Sequence, residues 1–371
     1  MCYSGHWVIY PYSKEFTSTL RYLKHHRTES IRVVAPKGLG MVGIDAGEID
    51  GGKRIGIKIE NDIESALRGA KLLLLADGDF PENLIRKSIN LAKQLLTNGI
   101  EVRVAMQLDQ NTQRELAETA RNSGVEITFY TNCETKISPF ISTAPKFYNQ
   151  QSTVIGVGRT FPEIDTTDFV LKVKETMEKE GYLVNTFLSK PYAKLLDCNP
   201  IPDYIGGGAE VSWQITSLNH YLESLERVQR SDIILVQYPG GMQTVDDEYC
   251  SDYGALSYLL TRAIIPDYFF CFMTAYPCTG SVLNEMSEGF AVQYHSPIDA
   301  AFYCNRAIDI TRTREENNIY YMQVSEKEMR GIYDNYYRDS WSIPLYRMDQ
   351  DIHIQTALKE MKNKLISYCE V

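Results

Sequence analysis

The sequence predicts an α/β protein of two Rossmann-like, doubly wound domains with mainly parallel sheets. Three observations carry that prediction. Apolar stretches of strand length alternate with stretches of helical periodicity. A polar segment containing Pro139 and Pro145 interrupts the alternation once, after which it restarts. The 371 residues also exceed what one hydrophobic core usually organises.

Within 1–135, residues 7–10 form a short apolar strand, and 14–25 show helical spacing at Phe16, Leu20 and Leu23. Residues 31–35 read as a strand, 55–59 alternate as a half-exposed edge strand would, and 61–68 read as a short helix ended by Gly69. Residues 71–76 are almost continuously apolar, as expected of a strand buried on both faces. Pro81 opens a helix over 82–97, and strand 100–105, helix 110–122 and strand 125–130 complete the first domain. The break at 131–152 contains the expected linker, 136–152.

The second domain, 153–371, begins with a strand at 153–157, a helix at 165–180 and a strand at 182–185. Gly206, Gly207 and Gly208 mark a loop before a helix at 211–227. Residues 232–237 are the clearest strand in the chain, 255–264 are helical and 268–274 form a strand. Beyond Gly280 the pattern predicts a helix near 297–307, a strand at 319–324 and a C-terminal helical extension of two helices.

The formal net charge of −10, with Lys and Arg dispersed among carboxylates, argues against nucleic-acid binding. The one dense basic stretch, 21–27, reads as a solvated helix end. Apolar runs are strand-sized, so no membrane span is expected. The N-terminus has neither the basic nor the apolar region of an export signal, which makes a cytoplasmic location the expectation. The eight cysteines include no C-x-x-C, and the six histidines no H-x-x-x-H. No metal site is expected, and most cysteines are read as reduced core residues.

Residues 36–52, PKGLGMVGIDAGEIDGG, contain a formal G-x-G-x-x-G at Gly38, Gly40 and Gly43. A dinucleotide fingerprint needs a helix N-terminus after the turn, so that free N–H groups face the pyrophosphate. Here 44–54 carry Gly47, Gly51 and Gly52 with Asp45 and Asp50, a composition that does not start a helix. Two readings remain: a long turn between strands, or a ligand- or partner-binding loop leaving the carboxyl end of the second strand. For the second, Lys37, Asp45, Glu48 and Asp50 are the polar candidates, with Gly38, Gly40, Gly43, Gly47, Gly51 and Gly52 allowing close backbone approach.

A second glycine-bearing loop, VIGVGRTFPEIDTTDF over 154–169, joins a strand to a helix where a phosphate-binding P-loop would lie. Aligning Asp165-Thr166-Thr167 with the end of such a loop puts Asp165 in place of the phosphate-facing lysine and Arg159 just after Gly158. A carboxylate there would repel phosphate, whose binding the lysine serves. The downstream SDIILVQYPGG, with Gly240 and Gly241, resembles the strand and turn that face the P-loop in dethiobiotin-synthetase-like folds. The reading is a degenerate P-loop domain, with Gly156, Gly158, Arg159, Asp165, Thr166, Gly240 and Gly241 as binding candidates.

Asp246 and Asp247, with Glu248, form an acidic cluster followed by Asp252, which fits either a metal or acid–base pair or a helix cap. The tyrosines of 320–337 fit either ligand stacking or packing. No G-x-S-x-G elbow and no cysteine with an identifiable base occurs, so no catalytic residue is assigned.

Together, IYPYSKEF, APKGLGMVGIDAGEIDGG, VIGVGRTFPEIDTTDF and ILVQYPGGM resemble a family of clostridial peptide maturation system proteins. The resemblance covers most of the chain. It implies an accessory role in making a ribosomally synthesised, modified peptide. A precursor peptide, a radical SAM maturase or an acyl-carrier-related protein are the implied partners, and no cofactor is identified. The expectation is therefore a protein that binds precursor peptide or partner enzyme. The alternative is a nucleotide-dependent ligase or transferase using both glycine-rich loops.

Overall fold

The computed structural model describes residues 5–131, 146–245, 248–249, 253–338 and 341–369. Asp246, Asp247, Asp252, Cys2, Cys133, Cys250 and most of the expected linker lie outside the described residues. The protein is α/β, on two parallel sheets. It divides into one unit of Met1–Glu134 with Lys190–Pro200, and another of Thr135–Ser189 with Ile201–Val371. Division at one linker would leave the segment 190–200, which belongs with the first unit, in the second.

The first unit runs β1 (His6–Tyr10), α1 (Thr17–His26), β2 (Ile31–Val34), β3 (Ile59–Glu60), α2 (Ile63–Leu67), β4 (Ala70–Leu75), α3 (Glu82–Thr97), β5 (Glu101–Val104), α4 (Gln110–Ser123) and β6 (Ile127–Phe129). Its sheet has the order β3-β2-β1-β4-β5-β6, parallel throughout. Strand alternation divides the apolar residues between two faces. Trp7, Ile9, Leu72 and Leu74 join Leu20 and Leu23 of α1, whereas Val8, Leu73 and Leu75 join Ala92, Leu96 and Leu116. Leu72–Leu75 are fully buried, each contributing about 2 kcal/mol of apolar burial. Asp109 caps α4 by accepting from the N–H groups of Asn111 and Thr112, and Gly124 ends it at φ 65°.

The second unit runs β7 (Thr153–Arg159), α5 (Thr167–Lys179) and β8 (Val184–Leu188). After the excursion containing β9 (Asn199–Pro200), it continues with α6 (Val211–Gln229), β10 (Ile233–Gln237), α7 (Ala255–Ala263), β11 (Tyr268–Met273), α8 (Gly280–Tyr294) and β12 (Ala300–Tyr303). β13 (Arg306–Ile308), α9 (Ile310–Glu316), β14 (Tyr321–Gln323), α10 (Glu326–Arg338), β15 (Leu345–Arg347) and α11 (Asp351–Cys369) complete it. The unit's own strands are ordered β15-β12-β11-β7-β10-β8, all parallel, and β13 pairs β14 antiparallel. Phe169 of α5 packs 4.9–5.0 Å from the rings of Phe270, Phe272 and Phe302. Among the described residues no helix is long and apolar enough to cross a membrane.

Four expectations need correction. The helix near 297–307 is instead β12 and β13, because its apolar run is drawn between β11 and β15. The helix of this region is α8, and β15 was not foreseen. The edge strand at 55–59 narrows to the two residues of β3. The strand at 182–185 lies later, as β8, with Tyr182 and Leu183 exposed ahead of it.

Candidate functional site

In the first unit, residues 36–52 leave β2 and form turns rather than a helix. Their second half is fastened from within. The Asp45 carboxylate accepts from the N–H groups of Gly47 at 2.9 Å, Ile55 at 3.0 Å and Gly56 at 2.8 Å. Burial works to raise its pKa, but those three N–H bonds outweigh it and hold the carboxyl below its ordinary value. Arg21 of α1 pairs with Asp50 and donates to the carbonyl of Gly47 at 2.8 Å. The Tyr12 hydroxyl donates to the carbonyl of Ala46 at 3.0 Å. Gly43 N–H to Ile59 O, Ile59 N–H to Ile44 O and Ala46 N–H to Ile57 O tie 43–46 alongside 57–59.

The first half of the loop is different. Gly38, Gly40 and Gly43 have φ of 97°, 68° and 83°, and open space where a side chain would stand. Between them Leu39, Val42 and Ile44 are 52%, 47% and 42% exposed, beside an exposed Lys37. Three large aliphatic side chains therefore stand in water on a loop whose base is fixed. Sequence reading singled out the glycines and carboxylates here but not these apolar residues. Their spacing between glycines was the available signal. Gly47 and Gly52 are close-packed instead: a Cβ would lie 2.3 Å from the Lys53 carbonyl and 1.9 Å from the Arg21 guanidinium, respectively. Gly51 has φ 89° in the turn closed by its N–H to Glu48 O, and Glu48 pairs with Arg54.

In the second unit, β7, the following loop and α5 form the strand–loop–helix foreseen at 153–180. Its polar groups are engaged with one another. Arg159 Nε donates to the carbonyl of Gly240 and its Nη1 to that of Ile164, both at 2.9 Å. Asp165 accepts from the N–H of Thr167 at 2.9 Å, a local side-chain-to-backbone turn just ahead of α5. Gln237, at the end of β10, donates to the hydroxyls of Thr166 and Thr167 and accepts from Ser189. Gly156 and Gly158 face aromatic packing: a Cβ on Gly156 would lie 2.8 Å from both Phe269 and Tyr238, and one on Gly158 2.5 Å from Met242 Sδ. Gly240 turns at φ 68°, and a Cβ on Gly241 would meet Pro162 and the Thr160 carbonyl at 2.8 Å. The structure thus brings Arg159, Asp165, Thr166, Gly240 and Gly241 to one end of the sheet.

Beside that end, a cavity of about 550 Å³ opens between Met242, Gln243 and Thr244 and the α8 residues Val282, Glu285 and Phe290. Tyrosines 336 and 337 donate to the carbonyls of Ile343 and Leu345, as packing residues do. Cys198, Cys271, Cys278 and Cys304 are buried free thiols. Burial pushes the Cys278 thiol up to about 12 and that of Cys304 to about 11, which suits core residues rather than nucleophiles. Among the described residues no group of three or more His, Cys, Asp or Glu side chains could hold a metal ion.

No family model matches the chain, and no curated protein matches it. Among solved structures, a DUF1611 family protein from Anabaena variabilis superposes with a TM-score of 0.61 at 12% identity, over 96% of this chain and 98% of that one. At that identity the likeness shows the fold alone. The chloroplast FtsY of Physcomitrella patens matches with a TM-score of 0.32 at 12% identity, over 74% of this chain and 78% of that one, a likeness that carries no argument.

Proposed function

We propose that this protein is an accessory factor in the maturation of a ribosomally synthesised peptide, and that residues 37–44 of the first unit bind the precursor peptide. The exposure of Leu39, Val42 and Ile44 on an internally braced loop carries the reading. Clustered exposed apolar side chains on a loop suit recognition of another polypeptide. A braced base limits the ordering cost on binding. The engagement of Arg159, Asp165 and Gln237 with their own backbone and hydroxyl neighbours speaks for binding over nucleotide hydrolysis.

The test is fluorescence anisotropy with a labelled candidate precursor peptide. The triple variant Leu39→Ser, Val42→Ser, Ile44→Ser should weaken binding about a hundredfold, some 3 kcal/mol of lost apolar contact, with its melting temperature unchanged. Equal affinity of wild type and variant would end the proposal.

One observation favours a second reading, a ligase or transferase of the same pathway. The cavity beside Met242–Thr244 lies at the carboxyl end of β10, where open α/β sheets take ligands. Saturable thermal stabilisation by a nucleotide or acyl-CoA, lost on filling the cavity with Gly289→Trp, would support it.

A further inference from the structure

At the opposite, amino end of the second unit's sheet lies a cavity of about 470 Å³, within the range of small-molecule sites. Ile155 of β7, Ile233 of β10, Met177 of α5, and Met361 and Leu365 of α11 give it an apolar interior. Tyr182 and Ile366, 43% and 53% exposed, extend that apolar surface to the rim. Most charged groups around the cavity are already engaged. Glu226 accepts through Oε1 from the N–H groups of Gln151 and Ser152, Asp232 accepts from the N–H of Leu183, and Lys362 pairs with Glu180. Arg230 differs. It follows α6 with φ 49°, is exposed, and its guanidinium has no ion pair or hydrogen bond among the described residues.

We propose that this cavity binds a small molecule with an apolar body and one carboxylate, its body lying on Ile155, Met177 and Ile233 and its carboxylate on Arg230. The apolar interior selects the body by burial. The guanidinium selects the head, because its planar fork matches a carboxylate. The site lies away from the carboxyl ends of the strands and is independent of the peptide-binding loop.

Decanoate and decylamine below their micelle-forming concentrations, and decanol below its solubility limit, are the probes, read by titration calorimetry and thermal shift on the full chain. Decanoate should bind at one saturable site and raise the melting temperature. Decanol should bind about tenfold more weakly, lacking the charge-assisted pair, and decylamine should not bind. Arg230→Gln should bring decanoate down to the level of decanol, and Leu365→Trp, which fills the cavity from its wall, should abolish both. Both changes are at partly or fully exposed positions, and circular dichroism should show both variants folded. Absence of saturable decanoate binding, equal or tighter binding of decylamine, or undiminished decanoate binding by either variant would each overturn the proposal.

Discussion

Arg21 and Asp50 form an ion pair that joins α1 to the glycine-rich loop, with their side chains 17% and 19% exposed. The same guanidinium holds the Gly47 carbonyl, so one side chain fixes the loop at two points. Arg21→Ala would remove the guanidinium from the partly buried Asp50 and the donor from the Gly47 carbonyl. The expected loss is about 1–3 kcal/mol of stability. Chemical denaturation measures it. A change below about 0.5 kcal/mol, the scale of an ordinary surface substitution, would mean the loop is not braced from α1.

Gly156 and Gly158 test whether the glycines of β7 serve packing. Gly156→Ala would place a methyl 2.8 Å from both Phe269 and Tyr238, within a buried strand that cannot shift freely. Overpacking of this kind costs about 1–3 kcal/mol. Gly158→Ala meets the thioether of Met242 and also Phe269, at 2.6 Å. Methionine adapts readily, but the ring does not, so this variant should also be destabilised. Unaltered melting temperatures for both would remove the packing explanation.

The sheets were legible because their signals are local. The continuous apolar run at 72–75 marks a buried strand, and Gly69 after α2 marks a helix end, without help from distant residues. α8 was not legible. It contains Gly280 and Gly289, and Val292 on it is 80% exposed, so its apolar spacing does not mark one face. Conversely, β12 is buried at every position, which erases the two-residue alternation that would distinguish it from a helix. At the site, glycines mislead for a simple reason. The missing Cβ that lets a phosphate approach also lets Phe269 approach, and only tertiary packing says which occurs. Asp45 and Arg159 were visible as polar candidates, but their engagement with backbone from other segments was not. The exposure of Leu39, Val42 and Ile44 is likewise a property of how the loop is folded.

Asp165 occupies the place of a P-loop lysine and accepts from the Thr167 N–H at the entry to α5. Purified protein with magnesium should therefore show no ATP hydrolysis above background. Asp165→Ala should lower stability by about 1 kcal/mol through the lost hydrogen bond to the Thr167 N–H. Asp165→Lys should lose the same hydrogen bond and gain no turnover, because Arg159 remains bonded across the loop to Gly240 and Ile164. Turnover that rises with the lysine would show that the loop is a competent phosphate cradle lacking only its cation.

The last prediction concerns pH. His353 accepts the N–H of Arg347 on Nδ1 at 2.9 Å, and its ring stacks on Tyr333 at 4.7 Å. That acceptor role requires an unprotonated Nδ1. Burial is the main cause holding the His353 pKa below its ordinary 6.5, with the charge of Arg347 adding to it and Asp349 opposing. The folded state thus takes up its proton at lower pH than the unfolded chain does. The stability linked to this residue is present in full above about pH 6.5 and is lost as pH falls toward the depressed folded value. Melting temperatures between pH 8 and pH 5 should decline for the wild type. His353→Gln cannot titrate in this range, and its profile should be flatter, although it should start lower at pH 8 by about 1 kcal/mol for the altered bond. Other groups titrating in the window affect both proteins equally, so the difference between the two curves isolates His353. Parallel curves would show that its protonation is not coupled to folding.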